Sequence, residues 1–278
     1  MQNTDSFIMS RVEKHYNYLK EMGYNVVAIF AQGSMNYGLY INDETYKSDV
    51  DTKAIVLPSL DDLIKGIKTS VKYQFENEQI DVKDFRLMSD IWAKANPAYL
   101  ELLFTKYMII NPMFQDIMKN ILDMKEDIVK MNYVQLARCI QGMSLEKVKA
   151  LKHNSPSQEE VLNKFNYAPK QLHHIRRLNL FLIDIFYNKK SFGDAMDLTG
   201  REELDELIKM KLGKFSEEEA TKLASYYDSD TNLKVNEILD LYSDFKFNSK
   251  TLNTLNDIIF KAIKQGVICD IRKQGDEI

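Results

Sequence analysis

Cysteine is nearly absent from this chain. Its 278 residues include two, Cys139 and Cys269, with neither the density of a disulfide scaffold nor metal-ligand spacing. They read as two reduced thiols. Histidine is sparse too, with four, and His15 and His153 stand apart with no ligand spacing. Long apolar runs are missing too. Val26 to Ala31, the longest near the N-terminus, is far too short to span a bilayer. Asp5, Arg11, Glu13 and Lys14 interrupt the opening residues, so no secretory leader is expected. No large charge of one sign exists either: the formal net charge of -4 gives no global attraction to nucleic acid. No internal repeat is visible, and no interleaving of aromatic and basic residues marks a single-strand platform. What remains is a cytoplasmic, non-membrane globular chain, 45% apolar and 28% charged, with room for one large or two modest domains.

What is present begins with helical spacing of Ile8, Val12, His15/Tyr16 and Leu19, closed by Gly23. "YNVVAIFAQG" reads as a buried strand and "VDTKAIVLP" as a second, stopped by Pro58. Ser59 with Asp62 marks the N-cap of a short helix. "VKYQF" and "EQIDVKDFRL" read as a hairpin, "MSDIWAKA" and "PAYLELLFT" as helices, the second with Pro97 in its first turn. Trp92, Tyr99 and Phe104 on those helices read as core. Beyond about Asn111 no strand is expected, and helical periodicity dominates. A linker is placed near residues 105–115 and a looser stretch at "HNSPSQ", 153–158. The fold class is therefore α/β of the α+β kind, a small mixed-sheet domain followed by an all-helical one.

The chemistry concentrates in "FAQGSMNYGLYINDETYKSDVDTKAIVLP", residues 30–58. Alternation along a strand turns Asp49 and Asp51 to one side and Val50 to the other. Two carboxylates that close are costly unless a cation lies between them, and hard oxygen ligands favour Mg²⁺ with substrate phosphates. A solvated strand edge is the plain alternative. Gly33-Ser34 shifts the balance, because a strand ending in that turn offers N–H groups and a hydroxyl to an anion. Phosphatase and glycosyltransferase Asp-x-Asp motifs fit poorly: there the acids end an apolar strand, whereas here the apolar strand follows them.

"GSMNYGL…SDVDTKAIVLP" resembles the nucleotidyltransferases of the DNA polymerase β superfamily. The nearer resemblance is to the branch associated with RNA-repair ligases, with phage members, whose Gly-Ser-x-x-Tyr-Gly-Leu and Ser-Asp-x-Asp match Gly33 to Leu39 and Ser48 to Asp51. "NPAYLELLF", 96–104, and Lys170, His174 and Arg177 in "APKQLHHIRRL" resemble further segments of that branch. The matched stretches extend from about residue 25 to 188. The resemblance implies a nucleotidyltransferase domain over 1–110 and a helical domain over 111–278. It implies two Mg²⁺ ions on Asp49, Asp51 and a third acid, for which Asp81 is chosen. Asp84 is the weaker candidate, since it shares the face of Ile80 and Val82. Gly33, Ser34, Asn36, Tyr37, Ser48, Lys170, His174 and Arg177 would bind the nucleoside triphosphate, and pyrophosphate would leave. The acceptor hydroxyl stays open, an RNA end among the choices.

Read without the family, Lys170, His173, His174 and Arg177 fall at i, i+3, i+4 and i+7, one basic helix face opposite Leu172, Ile175, Leu182 and Phe186. Such a face either holds phosphates or is simply solvated. Two departures from the family stand out. The segment between Gly38 and Ser48, with "NDETYK", is longer than the compact form, and Met35 and Asn36 replace a common arginine. Two other functions therefore stay in view: a nucleotide-binding or interaction module without catalysis, and a nucleotidyltransferase that modifies a protein, as an antitoxin does.

Overall fold

The structure, a computed structural model, describes residues 4–44, 46–153 and 158–275, without the side chains of 270 and 272–275. Helix α1 (Thr4–Glu21) buries Ile8, Val12, His15 and Leu19, the stripe a helix needs to dock on a sheet. Gly23 ends it at a φ of 84°, its N–H on the Lys20 carbonyl while Tyr24 reaches back to Leu19. Strands β1 (Asn25–Gln32) and β2 (Asp51–Leu57) pair antiparallel and are buried along nearly their whole length. After Pro58, Ser59 and Asp62 form the expected capping box of α2 (Leu60–Lys65). β3 (Ser70–Gln74) and β4 (Gln79–Asp84) form the expected hairpin. β4 then lies parallel to β2, with Thr52 opposite Ile80 and Lys53 opposite Asp81.

Next come α3 (Met88–Ala93), α4 (Pro97–Leu100), β5 (Met108–Ile110), α5 (Gln115–Asp123) and α6 (Lys125–Lys130). β5 pairs antiparallel with β1, completing a five-stranded mixed sheet in the order β3-β4-β2-β1-β5. The stretch read as a linker, 105–115, instead holds β5 and a turn capped by Asn111. Three residues of strand are too few to leave a periodic signal. Of the stretch at 153–158, residues 154–157 lie outside the described residues.

From here the described chain is helical: α7 (Tyr133–Ala150), α8 (Glu159–Phe165), α9 (Pro169–Phe186), α10 (Phe192–Met196), α11 (Glu203–Lys211), α12 (Glu217–Leu241) and α13 (Ser249–Gly275). α9 is buried on most sides because α7, α10, α11 and α12 all pack against it.

The chain forms two compact units, and neither is one continuous segment. The first comprises Met1–Asn36, Ser48–Asn132 and Phe247–Ile278, the second Tyr37–Lys47 and Tyr133–Lys246. A division near residue 110 therefore misses two crossings. The Tyr37–Lys47 segment joins the helical unit, where Leu198 N–H bonds the Tyr37 carbonyl at 3.3 Å and the Lys211 ammonium bonds the Leu39 carbonyl at 2.8 Å. α13 returns to the sheet-bearing unit and packs on β2, α3, α5 and α6. Among the described residues no helix is long and apolar enough to cross a membrane.

Candidate active site

Alternation along β2 sorts its residues onto two faces. Thr52 faces α1, where its hydroxyl lies 3.0 Å from His15 Nδ1, and Glu78 braces that histidine from Nε2 at 3.3 Å. Asp51, Lys53, Ile55 and Leu57 face the other way. At the far end of this face α13 comes so close that a Cβ on Gly266 would stand 2.6 Å from Leu57 Cδ1. Asp51 lies about 20 Å back along the strand, at the end nearer the polar residues. Val50 is fully buried, while Asp49, just before the strand, and Asp51 are both partly exposed. Asp51 Oδ1 accepts the Gln79 N–H at 2.9 Å, which ties the start of β2 to the start of β4.

Asp81 sits on this same face, as its position between Ile80 and Val82 requires. It is 4% exposed. Its Oδ2 accepts the Tyr99 hydroxyl at 2.8 Å, and its Oδ1, 3.1 Å from the Lys83 ammonium, makes no aligned hydrogen bond. Burial, then the Asp81 hydrogen bond, raise the Tyr99 hydroxyl well above its ordinary range. Asp84 is different. It is wholly buried on the opposite face, caps the following turn through the Arg86 N–H and pairs with the Arg86 guanidinium at 2.6 Å, a structural role.

Two residues that the sequence reading did not assign stand at the centre of this face. Lys53, 7% exposed, lies opposite Asp81, donates to Gln32 Oε1 and places its ammonium 4.7 Å from the centre of the Tyr99 ring. Burial lowers its pKa, while Glu101, Asp81 and Asp51 pull it back upward. Glu101, 3% exposed, accepts the Gly33 N–H at 3.2 Å. The signals were there: a lysine two positions after Asp51 in a buried strand, and an acid inside "YLELLF". Tyr99, read as core, is the third member of the network.

The turn after β1 is engaged as well. Gly33 adopts a φ of 93°, which favours glycine, and its N–H points at Glu101. Ser34–Tyr37 forms one 3-10 turn. The Asn36 side chain donates to the Ala31 carbonyl at 3.0 Å and accepts from Thr105 at 2.5 Å, so both ends of its amide brace the turn. Ser48 is partly buried beside Asp49.

In donor type, the carboxylates of Asp49, Asp51 and Asp81 suit a hard divalent cation completed by substrate oxygens, with Lys83 already 3.1 Å from Asp81 Oδ1. They are not drawn into a ready cage: among the described residues no group of three or more His, Cys, Asp or Glu is placed to hold a metal.

The remaining candidates belong to the helical unit. Lys170 is exposed, His174 partly buried and Arg177 buried at 9%, so the basic residues do not form an open stripe along α9. The Arg177 guanidinium lies 4.0 Å over the ring of Tyr37, which brings these two together. Lys211 lies 5.1 Å over the Tyr46 ring in the same unit. No protein-family model matches this chain, and no curated protein matches it either.

Proposed function

We propose that this chain is a Mg²⁺-dependent nucleotidyltransferase of the DNA polymerase β superfamily, acting in the cytoplasm. It moves a nucleoside monophosphate from a nucleoside triphosphate to a hydroxyl acceptor, for which an RNA end is one candidate. The observation that carries this reading is the placing of Asp51 and Asp81 on one face of a mixed sheet, with Asp49 immediately before the strand. In the reaction the acceptor oxygen attacks the α-phosphorus, the bond to the β-phosphate oxygen breaks, and pyrophosphate departs with the electron pair. The acceptor proton passes to solvent or a carboxylate. Asp49, Asp51 and Asp81 would hold the magnesium, which when bound supplies charge neutralisation at the phosphates.

The chain's own part is positioning. Tyr99 and Lys83 fix the Asp81 carboxylate, and the Gln79 N–H fixes Asp51. Ser34 is assigned to phosphate oxygens and Ser48 to the approach beside Asp49, while Asn36 and the Gly33 N–H act by holding the turn. In the helical unit Lys170, His174, Arg177 and Tyr37 are assigned to phosphate recognition. The test is transfer of label from an α-labelled triphosphate: Asp49→Asn and Asp51→Asn abolish it and keep the fold, and wild-type transfer by both variants refutes the mechanism.

One observation favours a second reading, a nucleotide-binding module without catalysis. Lys53 supplies a resident positive charge to Asp51, Asp81 and Glu101, so these acids do not depend on a metal for compensation. Mg²⁺-dependent triphosphate binding with no turnover against any acceptor selects that reading. The protein-modifying alternative differs in acceptor alone, and labelling of a protein in place of RNA selects it.

A further inference from the structure

Arginines shielded from solvent in this protein are matched by carboxylates. Arg86 meets Asp84, Arg176 meets Glu206, and Arg201 meets Asp184 and Glu203. Arg177 breaks the pattern. It is the one buried arginine among the described residues, no ion pair is found for it there, and its Nε has no hydrogen-bond partner. One turn earlier on α9, His173 is 2% exposed, and its ring nitrogens make no well-aligned hydrogen bond, the Lys170 carbonyl on the preceding turn offering only a misaligned acceptor. Buried polar groups in folded proteins are nearly always satisfied. Arg177 Nε without a partner and His173 without an aligned one, on successive turns of one helix, point to a partner that the unit itself does not provide.

The surrounding charge gives the sign of that partner. His173 is held well below its ordinary titration range, first by burial, then by Arg177 and Lys211, with only the Lys170 carbonyl pulling the other way. Lys147 of α7 is lowered too, by burial first; Glu146 pulls it back upward, while Arg177 and Lys170 add repulsion. Geometry narrows the choice further. The Tyr37 ring covers the face of the Arg177 guanidinium at 4.0 Å, so the in-plane N–H edge is what remains for an acceptor. That edge matches the spacing of oxygens on a phosphate. A tetrahedral group can also take donors from two helix turns and from α7, which a planar carboxylate does less well.

We propose that the helical unit binds a phosphate group at this place, with Arg177 Nε and His173 as hydrogen-bond donors and Lys147 as a further positive charge. The ligand class is a pyrophosphate-like anion, free or as the terminal phosphates of a nucleotide. The proposal rests on the phosphate-recognition reading of α9 for the kind of ligand, adds His173 and Lys147 to it, and needs no transfer chemistry.

The test is calorimetric titration of the full chain with pyrophosphate, with melting curves on each variant. Wild-type protein binds pyrophosphate. Arg177→Met and Arg177→Lys, the latter keeping the charge but losing Nε, each weaken binding at least about 10-fold, the loss of one charge-assisted hydrogen bond. His173→Phe weakens binding similarly yet leaves the melting temperature of the free protein unchanged or higher, since it removes an unsatisfied buried group. A histidine with a purely structural role gives the opposite signature, a lower melting temperature with binding intact, and that result overturns the proposal. So does wild-type protein that fails to bind pyrophosphate, or folded Arg177→Lys that binds it as wild type does. Asp51→Asn separates the two readings. Pyrophosphate binding lost in the Arg177 variants but kept in Asp51→Asn supports the phosphate site even where no variant or wild-type protein transfers label. Transfer of label with pyrophosphate affinity unmoved by the Arg177 and His173 changes overturns the site and leaves the transferase reading standing.

Discussion

The two units treat buried charge in opposite ways. In the sheet-bearing unit Lys53 is buried among Asp51, Asp81 and Glu101, and Tyr99, Gln32 and the Gly33 N–H complete the network. In the helical unit Arg177 and His173 are buried with donors unmet and cations around them. One site carries its own compensation and the other leaves it to a ligand. A buried charge with a partner is part of the fold, and removing the partner costs more than the pair was worth. A buried donor without one weakens the free protein, and the partner proposed for it here is a ligand.

Activity should show the largest contrast. Asp51→Asn is expected to lower label transfer more than about 100-fold, because even outer-shell partners of a metal are worth 10–100-fold. Its melting temperature should stay close to wild type, since the Asn amide oxygen can still accept the Gln79 N–H. The next contrast concerns stability. Lys53→Met leaves buried acids without their cation and should cost about 3–5 kcal/mol in chemical denaturation. Arg177→Met loses mainly its stacking on Tyr37, about 1–2 kcal/mol, because it has no ion pair among the described residues to break. Equal costs for the two would erase the distinction drawn between the units.

Much of this architecture is written in local signals. The Ser59–Asp62 capping box, the Gly23 stop, the β3–β4 hairpin and the turning of Asp81 away from Ile80 and Val82 all follow from period and capping chemistry. What was not legible depends on contacts distant in the chain. β5 is too short to show a period, and α13 is an ordinary amphipathic helix whose return to the sheet no local pattern announces. Glu101 and Lys53 stand 48 positions apart in sequence. Each was visible singly as a charge in an apolar run, and only the fold brings Lys53 under the influence of the Glu101 charge. "NDETYK", 42–47, is the least family-like part of the proposed site, and it lies in the Tyr37–Lys47 segment that belongs to the helical unit.

A smaller effect concerns pH. Burial is the leading cause that lowers the pKa of His173, His174 and His15 below 6.5. The folded state therefore holds these protons more weakly than the unfolded state, whose histidines titrate near 6.5. Their contribution to stability is complete above about pH 6.5 and is lost as pH falls below it, by up to about 1.4 kcal/mol per pH unit for each histidine. Denaturation midpoints between pH 7.5 and 5 should show that slope, and His173→Phe should flatten it. A slope of the opposite sign would contradict the burial of these rings. The smallest change is Tyr99→Phe, which removes one donor from Asp81 and should cost about 1 kcal/mol while slowing transfer modestly.

The central claim is nucleotidyl transfer, and one measurement meets it directly. Wild-type protein and the Asp49→Asn and Asp51→Asn variants are incubated with each α-labelled nucleoside triphosphate, Mg²⁺ and total RNA, and the label is located. The account predicts that wild-type protein transfers label from at least one triphosphate with release of pyrophosphate, and that both variants transfer none. Transfer that survives both substitutions, or no transfer from any triphosphate to RNA, protein or small hydroxyl acceptors, would contradict it.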